Sequence, residues 1–263
     1  MVKPRHLFSA WDELHSRTRG YSRCALFLDF DGTLAPIRRR PELVGLALPL
    51  RRTLQRIVRS GTLIAIISGR GLDDVRRRAG LRGIWYAGTH GYFLVSPKGR
   101  LYSLLSKKQN AQMRMISRSL RTGLRGLRGI QVEPKDATIA IHYRRANQAQ
   151  AGFAREIVEE LAASSKSLRL MHGKKVWEIL PAGRVDKWTA VRFILQKQAR
   201  ARGKTLMFYL GDDTTDEAVF RKMKGISVAI GKRQGTSARY FLRSPAEVNT
   251  FLTRWDELTR LSN

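Results

Sequence analysis

The feature that most constrains the fold is a repeated order along the chain, in which a short apolar run ends in polar residues and a helical pattern follows. Apolar runs of this kind lie over 24–30, 62–67, 84–87, 206–210 and 226–230. Helical patterns over 48–58 and 72–79 follow the first two runs. Strands that alternate with helices are typical of an α/β fold with a doubly wound, mostly parallel sheet. In such a sheet the site lies at the carboxyl ends of the strands.

The middle of the chain has a different pattern. Helical stretches and apolar pairs follow one another as helix, hairpin, helix, hairpin, over 107–127, 130–133 with 137–143, 148–163, and 168–171 with 176–180. This order predicts an inserted α+β domain whose helices cover one face of a small antiparallel sheet. We expect this insertion over 106–181 and a core domain formed by 1–105 and 182–263.

The charge is strongly unbalanced, with 50 Lys and Arg against 21 Asp and Glu and a net charge of +29. Such a charge favours an anionic partner. The arginine runs 38–40, 76–78 and 144–145 fit solvated faces better than nucleic-acid contacts, because no aromatic-interleaved nucleic-acid motif accompanies them. Nucleic acid is therefore not expected as a partner.

Cellular class follows from what the sequence lacks. The single cysteine, Cys24, cannot form an intrachain disulfide. No apolar stretch has the length of a membrane span, and the first residues do not resemble a signal peptide. We predict a soluble, cytoplasmic, monomeric protein with no membrane partner.

Two carboxylates follow the first predicted strand. Asp29 and Asp31 are two residues apart, so in an extended chain both point to the same side. Paired carboxylates attract a hard cation such as Mg²⁺, and one of them can attack phosphorus while the other transfers protons. The alternative is a turn in which Asp and Gly merely end the strand.

Further polar groups follow other predicted strands. Ser68 precedes a helix start, where a hydroxyl and backbone donors suit a phosphate oxygen. Lys187 lies in the first turn of a predicted helix, where a cation is disfavoured unless it holds an anion, although a solvated lysine is the alternative. Asp212, Asp213 and Asp216 crowd one strand end, which is costly without a cation. Glu217 fits a capping box with Thr214 as the N-cap.

These motifs in their order resemble the haloacid dehalogenase superfamily of Mg²⁺-dependent phosphatases, and more narrowly the trehalose 6-phosphate phosphatase family. The wider resemblance rests on Asp29-Phe30-Asp31-Gly32-Thr33, Ser68, Lys187 and Gly211-Asp212-Asp213. The narrower one rests on Ser68-Gly69-Arg70, Gly88-Thr89-His90-Gly91, His142-Tyr143-Arg144, Gly173-Lys174 with Glu178, and Thr215-Asp216-Glu217.

The resemblance implies a phosphatase that hydrolyses trehalose 6-phosphate through an aspartyl-phosphate. Asp29 would be the nucleophile and Asp31 the general acid and base. Ser68, Gly69 and Lys187 would hold the phosphoryl group.

It also implies the metal and sugar sites. Asp29, the backbone carbonyl of Asp31, and Asp212 would bind Mg²⁺, with Asp213 or Asp216 in support. Within the insertion, which would act as a mobile cap, Lys174 and Glu178 match sugar-contacting positions, and Arg70 is a further substrate ligand. Lys135 and Arg144 are weaker candidates.

Three positions depart from the family pattern and leave the substrate open. Phe93 stands where the family usually has Glu, Asp186 where it has Asn, and Trp188 where it has Gly. Another sugar phosphate, such as sucrose 6-phosphate or glucosylglycerol phosphate, is therefore an alternative substrate. A basic nucleic-acid-binding protein with a vestigial site is the alternative from a different functional class.

Overall fold

The computed structural model describes residues 3–38, 40–134, 137–173, 175–182, 185–198, 203–231 and 235–261. The chain divides into two compact units, one formed by 1–102 with 185–263 and the other by 103–184.

Thirteen strands and eight α-helices lie among the described residues. The strands are β1 (Arg5–His6), β2 (Arg23–Leu28), β3 (Leu63–Ile67), β4 (Trp85–Gly88), β5 (Phe93–Val95), β6 (Leu101–Ser103), β7 (Gln131–Pro134), β8 (Ile139–His142), β9 (Leu168–Gly173), β10 (Val176–Pro181), β11 (Thr205–Gly211), β12 (Ile226–Ile230) and β13 (Tyr240–Leu242). The helices are α1 (Trp11–Thr18), α2 (Leu48–Arg59), α3 (Leu72–Ala79), α4 (Lys107–Gly123), α5 (Gln148–Ala163), α6 (Lys187–Gln198), α7 (Glu217–Lys222) and α8 (Pro245–Leu261).

The first unit is built on a nine-stranded sheet in the order β1-β13-β12-β11-β2-β3-β4-β5-β6. Pairing is parallel from β1 through β4, and β5 pairs antiparallel with β4. Strand β12 and most of β2 and β3 are buried without alternation, as expected of a sheet covered on both faces. The predicted α/β class with a mostly parallel sheet is confirmed.

The ends of the chain add elements that the sequence analysis did not assign. The short strand β1 pairs in parallel with β13, more than two hundred residues away. Aromatic contacts join α1 to α8 and α8 to strand β11, since Trp11 meets Phe251 with ring centroids 6.0 Å apart and Trp255 meets Phe208 at 4.8 Å.

The second unit has its own sheet and its own core. Four antiparallel strands lie in the order β7-β8-β10-β9. Buried residues of α4, α5 and this sheet form one apolar cluster, which includes Met113, Leu120, Val158, Ile139 and Trp177. The helix–hairpin–helix–hairpin order is that predicted, whereas the role of this unit as a cap stays a prediction.

Among the described residues, no helix combines the length and the apolar composition needed to cross a bilayer. The cytoplasmic location stays a prediction.

Candidate active site

The parallel register brings the predicted polar residues to one edge of the sheet. Asp29 directly follows β2, and its backbone N–H donates to the carbonyl of Leu210 on β11 at 2.9 Å. Ser68 directly follows β3, and its N–H donates to the carbonyl of Ala87 on β4 at 2.9 Å. Neighbouring parallel strands therefore deliver these side chains together, as the rule for doubly wound sheets predicts.

A buried lysine joins two of the carboxylates. Lys187 Nζ donates to Asp29 Oδ1 and to Asp216 Oδ1, each at 2.7 Å, and all three side chains are at least 94% buried. Burial alone would lower the pKa of Lys187, but the two carboxylates outweigh it and raise that pKa above its usual range. Lys187 is thus a fixed cation at the start of α6 and not a solvated lysine.

Three carboxylates surround one point. Asp29, Asp212 and Asp216 each offer an oxygen, and these oxygens lie within 4.8 Å of one another. Burial, with Asp216 and Asp212 nearby, raises the pKa of Asp29 well above its usual range despite Lys187. Burial and the charge of Asp216 raise the pKa of Asp212 to about 6. One lysine therefore does not balance the negative charge of this cluster.

The donor set fits a hard divalent cation. Mg²⁺ prefers carboxylate and carbonyl oxygens and usually takes only one or two carboxylates from the protein. Asp216 already accepts hydrogen bonds on both oxygens, from Lys187 and Tyr209 on Oδ1 and from the Asp213 N–H on Oδ2. Asp29 and Asp212 are therefore the better placed ligands, with Asp216 as support.

Two glycines make room for these carboxylates. Gly32 has φ +81°, and a Cβ on it would collide with the carboxylate of Asp212. A Cβ on Gly211 would collide with the carboxyl of Asp216. Both positions require Gly, because the neighbouring carboxylate occupies the space that a Cβ would need.

Asp31 is held apart from the three-carboxylate cluster. The Arg70 guanidinium donates from Nε to Asp31 Oδ2 and from Nη2 to Asp31 Oδ1, both at 2.6 Å. Arg70 also donates to Asp74 at 3.0 Å. This is a two-pronged ion pair of the kind that fixes the orientation of a carboxylate. Asp31 and Arg70, predicted for different roles, are thus direct partners.

The predicted phosphate-binding segment is packed against a strained loop. Ser68 Oγ accepts from the Arg70 N–H at 3.1 Å, and a Cβ on Gly69 would meet the His90 ring at 2.7 Å. Thr89 and His90 both have positive φ, 51° and 56°, which is costly for residues with a side chain. The His90 ring therefore packs against Gly69 and leaves no room for a side chain at that position.

The capping box predicted for Glu217 is wrong. Asp213 is the N-cap of the 3-10 turn Thr214–Asp216, and Asp216 closes the box by accepting from the Asp213 N–H. Glu217 is buried instead and accepts from Thr236 Oγ1 at 2.6 Å and from the Ser237 N–H at 2.9 Å.

The three departures from the family pattern have local accounts. Asp186 accepts from the N–H and hydroxyl of Thr189 and pairs with Lys222 at 2.8 Å. Its pKa lies below the usual range, because these donors outweigh the effect of burial. Phe93 packs against the core, and Trp188 is half-buried. The charge of Asp186 is thus compensated by its own neighbours.

The second unit contains the predicted sugar-contacting positions. Glu178 lies mid-strand on β10, opposite Ala140 and Met171, and Thr138 Oγ1 donates to its Oε1 at 2.6 Å. Lys174 and Lys135 lie outside the described residues.

A cavity of about 520 Å³ lies at the opposite edge of the core sheet, beside the first residues of β2, β3 and β11. None of its described lining residues is Asp, Glu or His.

Sequence reasoning missed Tyr209. Its hydroxyl donates to Asp216 Oδ1 at 2.6 Å, and the residue is fully buried. Burial and the nearby Asp216 raise its pKa well above the usual range, so the phenol remains a donor. The only available signal was a tyrosine inside an otherwise apolar strand, two residues before Gly211.

Comparison with known proteins decides the family. The family model for trehalose-phosphatase matches residues 27–246, which include all of the cluster described above. The chain belongs to the trehalose-phosphatase family. The predicted resemblance is thereby confirmed.

Relatives of this trehalose-phosphatase family member cover nearly all of the chain. It is 33% identical to a probable trehalose-phosphate phosphatase D of Arabidopsis thaliana, over 100% of this chain and 74% of that protein. It is 35% identical to a trehalose-phosphate phosphatase of Mycobacterium marinum, over 88% of this chain and 61% of that protein.

Solved structures agree on the fold. A trehalose-6-phosphate phosphatase related protein has a TM-score of 0.76 at 22% identity, covering 91% of this chain and 100% of the other. The C-terminal domain of a Candida albicans trehalose-6-phosphate phosphatase has a TM-score of 0.74 at 22% identity, covering 97% and 98%.

Proposed function

We propose that this member of the trehalose-phosphatase family hydrolyses trehalose 6-phosphate to trehalose and phosphate, with Mg²⁺ as cofactor and an aspartyl-phosphate as intermediate. The observation that carries the proposal is the buried contact of Lys187 with Asp29, beside Asp212 and Asp216. With Mg²⁺ bound to the carboxylates, the metal ion and Lys187 would together present positive charge to a phosphoryl group.

The phosphoryl group would be bound by fixed donors. Lys187, Ser68 and the backbone at Gly69 supply positive charge and hydrogen-bond donors. Asp29, Asp212 and the backbone carbonyl of Asp31 would hold Mg²⁺, which supplies charge neutralisation for the phosphate oxygens. Lys187 orients Asp29 through the hydrogen bond that its Nζ donates to Oδ1.

The reaction needs two displacements. An oxygen of Asp29 attacks phosphorus, the bond from phosphorus to the sugar oxygen breaks, and that oxygen takes a proton from Asp31. Water then attacks the aspartyl-phosphate while the Asp31 carboxylate takes a proton from the water, and the bond from phosphorus to Asp29 breaks. Free phosphate leaves and both carboxyl groups return to their starting state.

The ion pair between Arg70 and Asp31 bears on this cycle. Both carboxylate oxygens of Asp31 accept hydrogen bonds from Arg70, whereas proton transfer to the sugar oxygen requires an Asp31 oxygen that faces the substrate. A substrate phosphate is an alternative partner for the planar guanidinium, which binds phosphate with two parallel hydrogen bonds. We propose that Arg70 transfers to the substrate as it binds, which releases Asp31 for proton transfer.

The second unit, within which we place the cap over 106–181, is proposed to set sugar selectivity through Glu178 and Lys174. A disaccharide offers hydroxyl groups, and a glutamate on a strand accepts hydrogen bonds from them. Replacement of Glu178 by Ala should then raise KM for trehalose 6-phosphate, while turnover of p-nitrophenyl phosphate should change little. Equal losses on both substrates would assign Glu178 to folding.

A panel of sugar phosphates tests the substrate. Phosphate release should be fastest from trehalose 6-phosphate and should require Mg²⁺. Faster release from sucrose 6-phosphate or glucosylglycerol phosphate would replace the substrate and keep the phosphatase. Absence of release from every sugar phosphate would refute the proposed function.

A further inference from the structure

The exposed face of α4 carries a row of cations that the proposed phosphatase chemistry does not use. We define the α4 basic stripe as Lys107, Arg114, Arg118 and Arg121, all of them exposed. At about 100° per residue these four positions fall within about 60° of one another around the helix axis. They form one row that is about 21 Å long at about 1.5 Å per residue.

No acid on the helix balances this stripe. The segment 107–132 has seven basic residues and no Asp or Glu. No ion pair involves a member of the stripe in the part of the chain that the structure describes. By contrast, Arg76 and Arg77 of the sequence run 76–78 pair with acids of their own helix. The stripe therefore differs from a solvated, self-compensated face.

The stripe opposes the stability of its own helix. Arg114 and Arg118 are four residues apart and Arg118 and Arg121 are three apart, spacings at which like charges repel. Lys107 lies in the first turn, which has no acidic residue and where the helix dipole disfavours a cation. The helix dipole favours Arg121 in the last turn, and the capping box of Ser106 and Gln109 stabilises the helix start. Neither feature supplies a negative charge to the stripe, so an external anion would relieve the repulsion.

We propose that the α4 basic stripe binds the sugar-phosphate backbone of a nucleic acid without sequence selection. Three of its four cations are arginines, whose planar fork matches phosphate oxygens. Two exposed positions beside the stripe, Ala111 and Thr122, are small, so a backbone can approach closely there. The stripe contains no base-reading aromatic side chain, which accounts for the absence of a nucleic-acid motif.

The surroundings of the stripe disfavour a membrane surface. A membrane-bound amphipathic helix inserts its apolar face into the lipid interface. The apolar face of α4 is instead occupied, since Met113, Ile116 and Leu120 are buried in the core of the second unit. Met115 is the one large apolar residue exposed on α4, which is too little for the apolar face that insertion requires.

The test measures binding of the full chain to a fluorescein-labelled DNA duplex of about 20 base pairs by anisotropy, between about 50 mM and about 200 mM salt. The stripe variant is Arg114→Gln/Arg118→Gln/Arg121→Gln. The matched control is Arg38→Gln/Arg52→Gln/Arg59→Gln, which removes the same charge from three exposed arginines of the first unit. Far-ultraviolet circular dichroism confirms that each variant is folded.

The wild-type chain should bind with a linear dependence of log K on log salt. The stripe variant loses three phosphate contacts, which should reduce the slope of log K against log salt by about 2.7 and the affinity by about tenfold or more. The control variant should keep the slope and the affinity close to those of the wild type. If the triple variant does not fold, R118Q alone should reduce the slope by about 0.9.

Three results would overturn the proposal. The first is equal binding by the wild type and the stripe variant. The second is an equal loss in the control, which would assign binding to net charge alone. The third is no binding to the duplex together with binding to vesicles of phosphatidylcholine and phosphatidylserine, which would assign the stripe to a membrane surface.

Discussion

Replacement of Gly32 by Ala tests whether the turn after Asp31 positions the Asp212 carboxylate that we propose binds Mg²⁺. The φ of Gly32 is +81°, and the new Cβ would overlap the carboxylate of Asp212. The strained backbone costs about 1–2 kcal/mol in unfolding free energy. The overlap must in addition displace Asp212, and a displacement near 1 Å lowers catalytic efficiency by about a hundredfold.

Gly61 supplies the matched control. Its φ is +85°, but nothing lies within 4 Å of the Cβ that an alanine would add. Gly61→Ala should therefore lose only the unfolding free energy that the positive φ costs an alanine. Its Mg²⁺ binding and turnover should be unchanged. Urea unfolding measures the stability of both variants, and calorimetric Mg²⁺ titration with phosphate release measures the site. Equal Mg²⁺ affinity and turnover in the two variants would refute the positional role of Gly32.

Three further predictions address charge. Mg²⁺ affinity should fall as pH drops below about 6, because burial and Asp216 raise the pKa of Asp212 to about 6 and a ligand carboxylate must be deprotonated. Titration calorimetry at pH 5 and pH 7.5 measures this fall. A pH-independent affinity would contradict the prediction. Burial acts against ionisation of Asp74, yet hydrogen bonds from Arg78 and Arg70 lower its pKa to about 2, so its stabilising contribution is complete above about pH 4, the pKa of an unfolded Asp, and is lost as pH falls toward 2. Asp74→Asn should therefore lower the urea midpoint at pH 7 and lower it less at pH 3.5. Exposed Asp73→Asn is the control. An equal difference in midpoint between wild type and Asp74→Asn at both pH values would count against the ion pairs. Lys187→Met should lower the unfolding free energy by about 3 kcal/mol, because two buried carboxylates lose their cation. Added Mg²⁺ should restore part of the lost free energy. An unchanged urea midpoint would contradict the role of Lys187 as the partner of both carboxylates.

The elements predicted from sequence are those whose signal is local. Helix α3 and strand β12 have the predicted bounds, because each is a compact amphipathic or apolar segment with clear end signals, such as the left-handed Gly80 after α3. Strands β1 and β13 are two and three residues long and exist through pairing with distant strands. Their sequences alone carry no such signal.

The predictions for the site divide in the same way, into residues with a local sequence signal and residues whose place depends on tertiary contacts. The sequence placed Asp29, Ser68 and Asp212 at strand ends, and the parallel register brings Asp29 and Asp212 together. It did not show which acid after β11 faces Lys187, because three acids lie within five residues and only the turn at Asp213 directs Asp216 inward. Glu217 shows the converse error, since a local capping pattern was outweighed by its hydrogen bond to Thr236.

The central claim is that Asp29 carries the phosphoryl group during turnover, and mass spectrometry of acid-quenched enzyme tests it most directly. The protein is mixed with trehalose 6-phosphate and Mg²⁺, quenched within one turnover and digested. We predict one phosphoryl adduct on the peptide that contains Asp29, and neither adduct nor phosphate release in Asp29→Asn. Phosphate release by Asp29→Asn at the wild-type rate, or an adduct on another residue, would contradict the account.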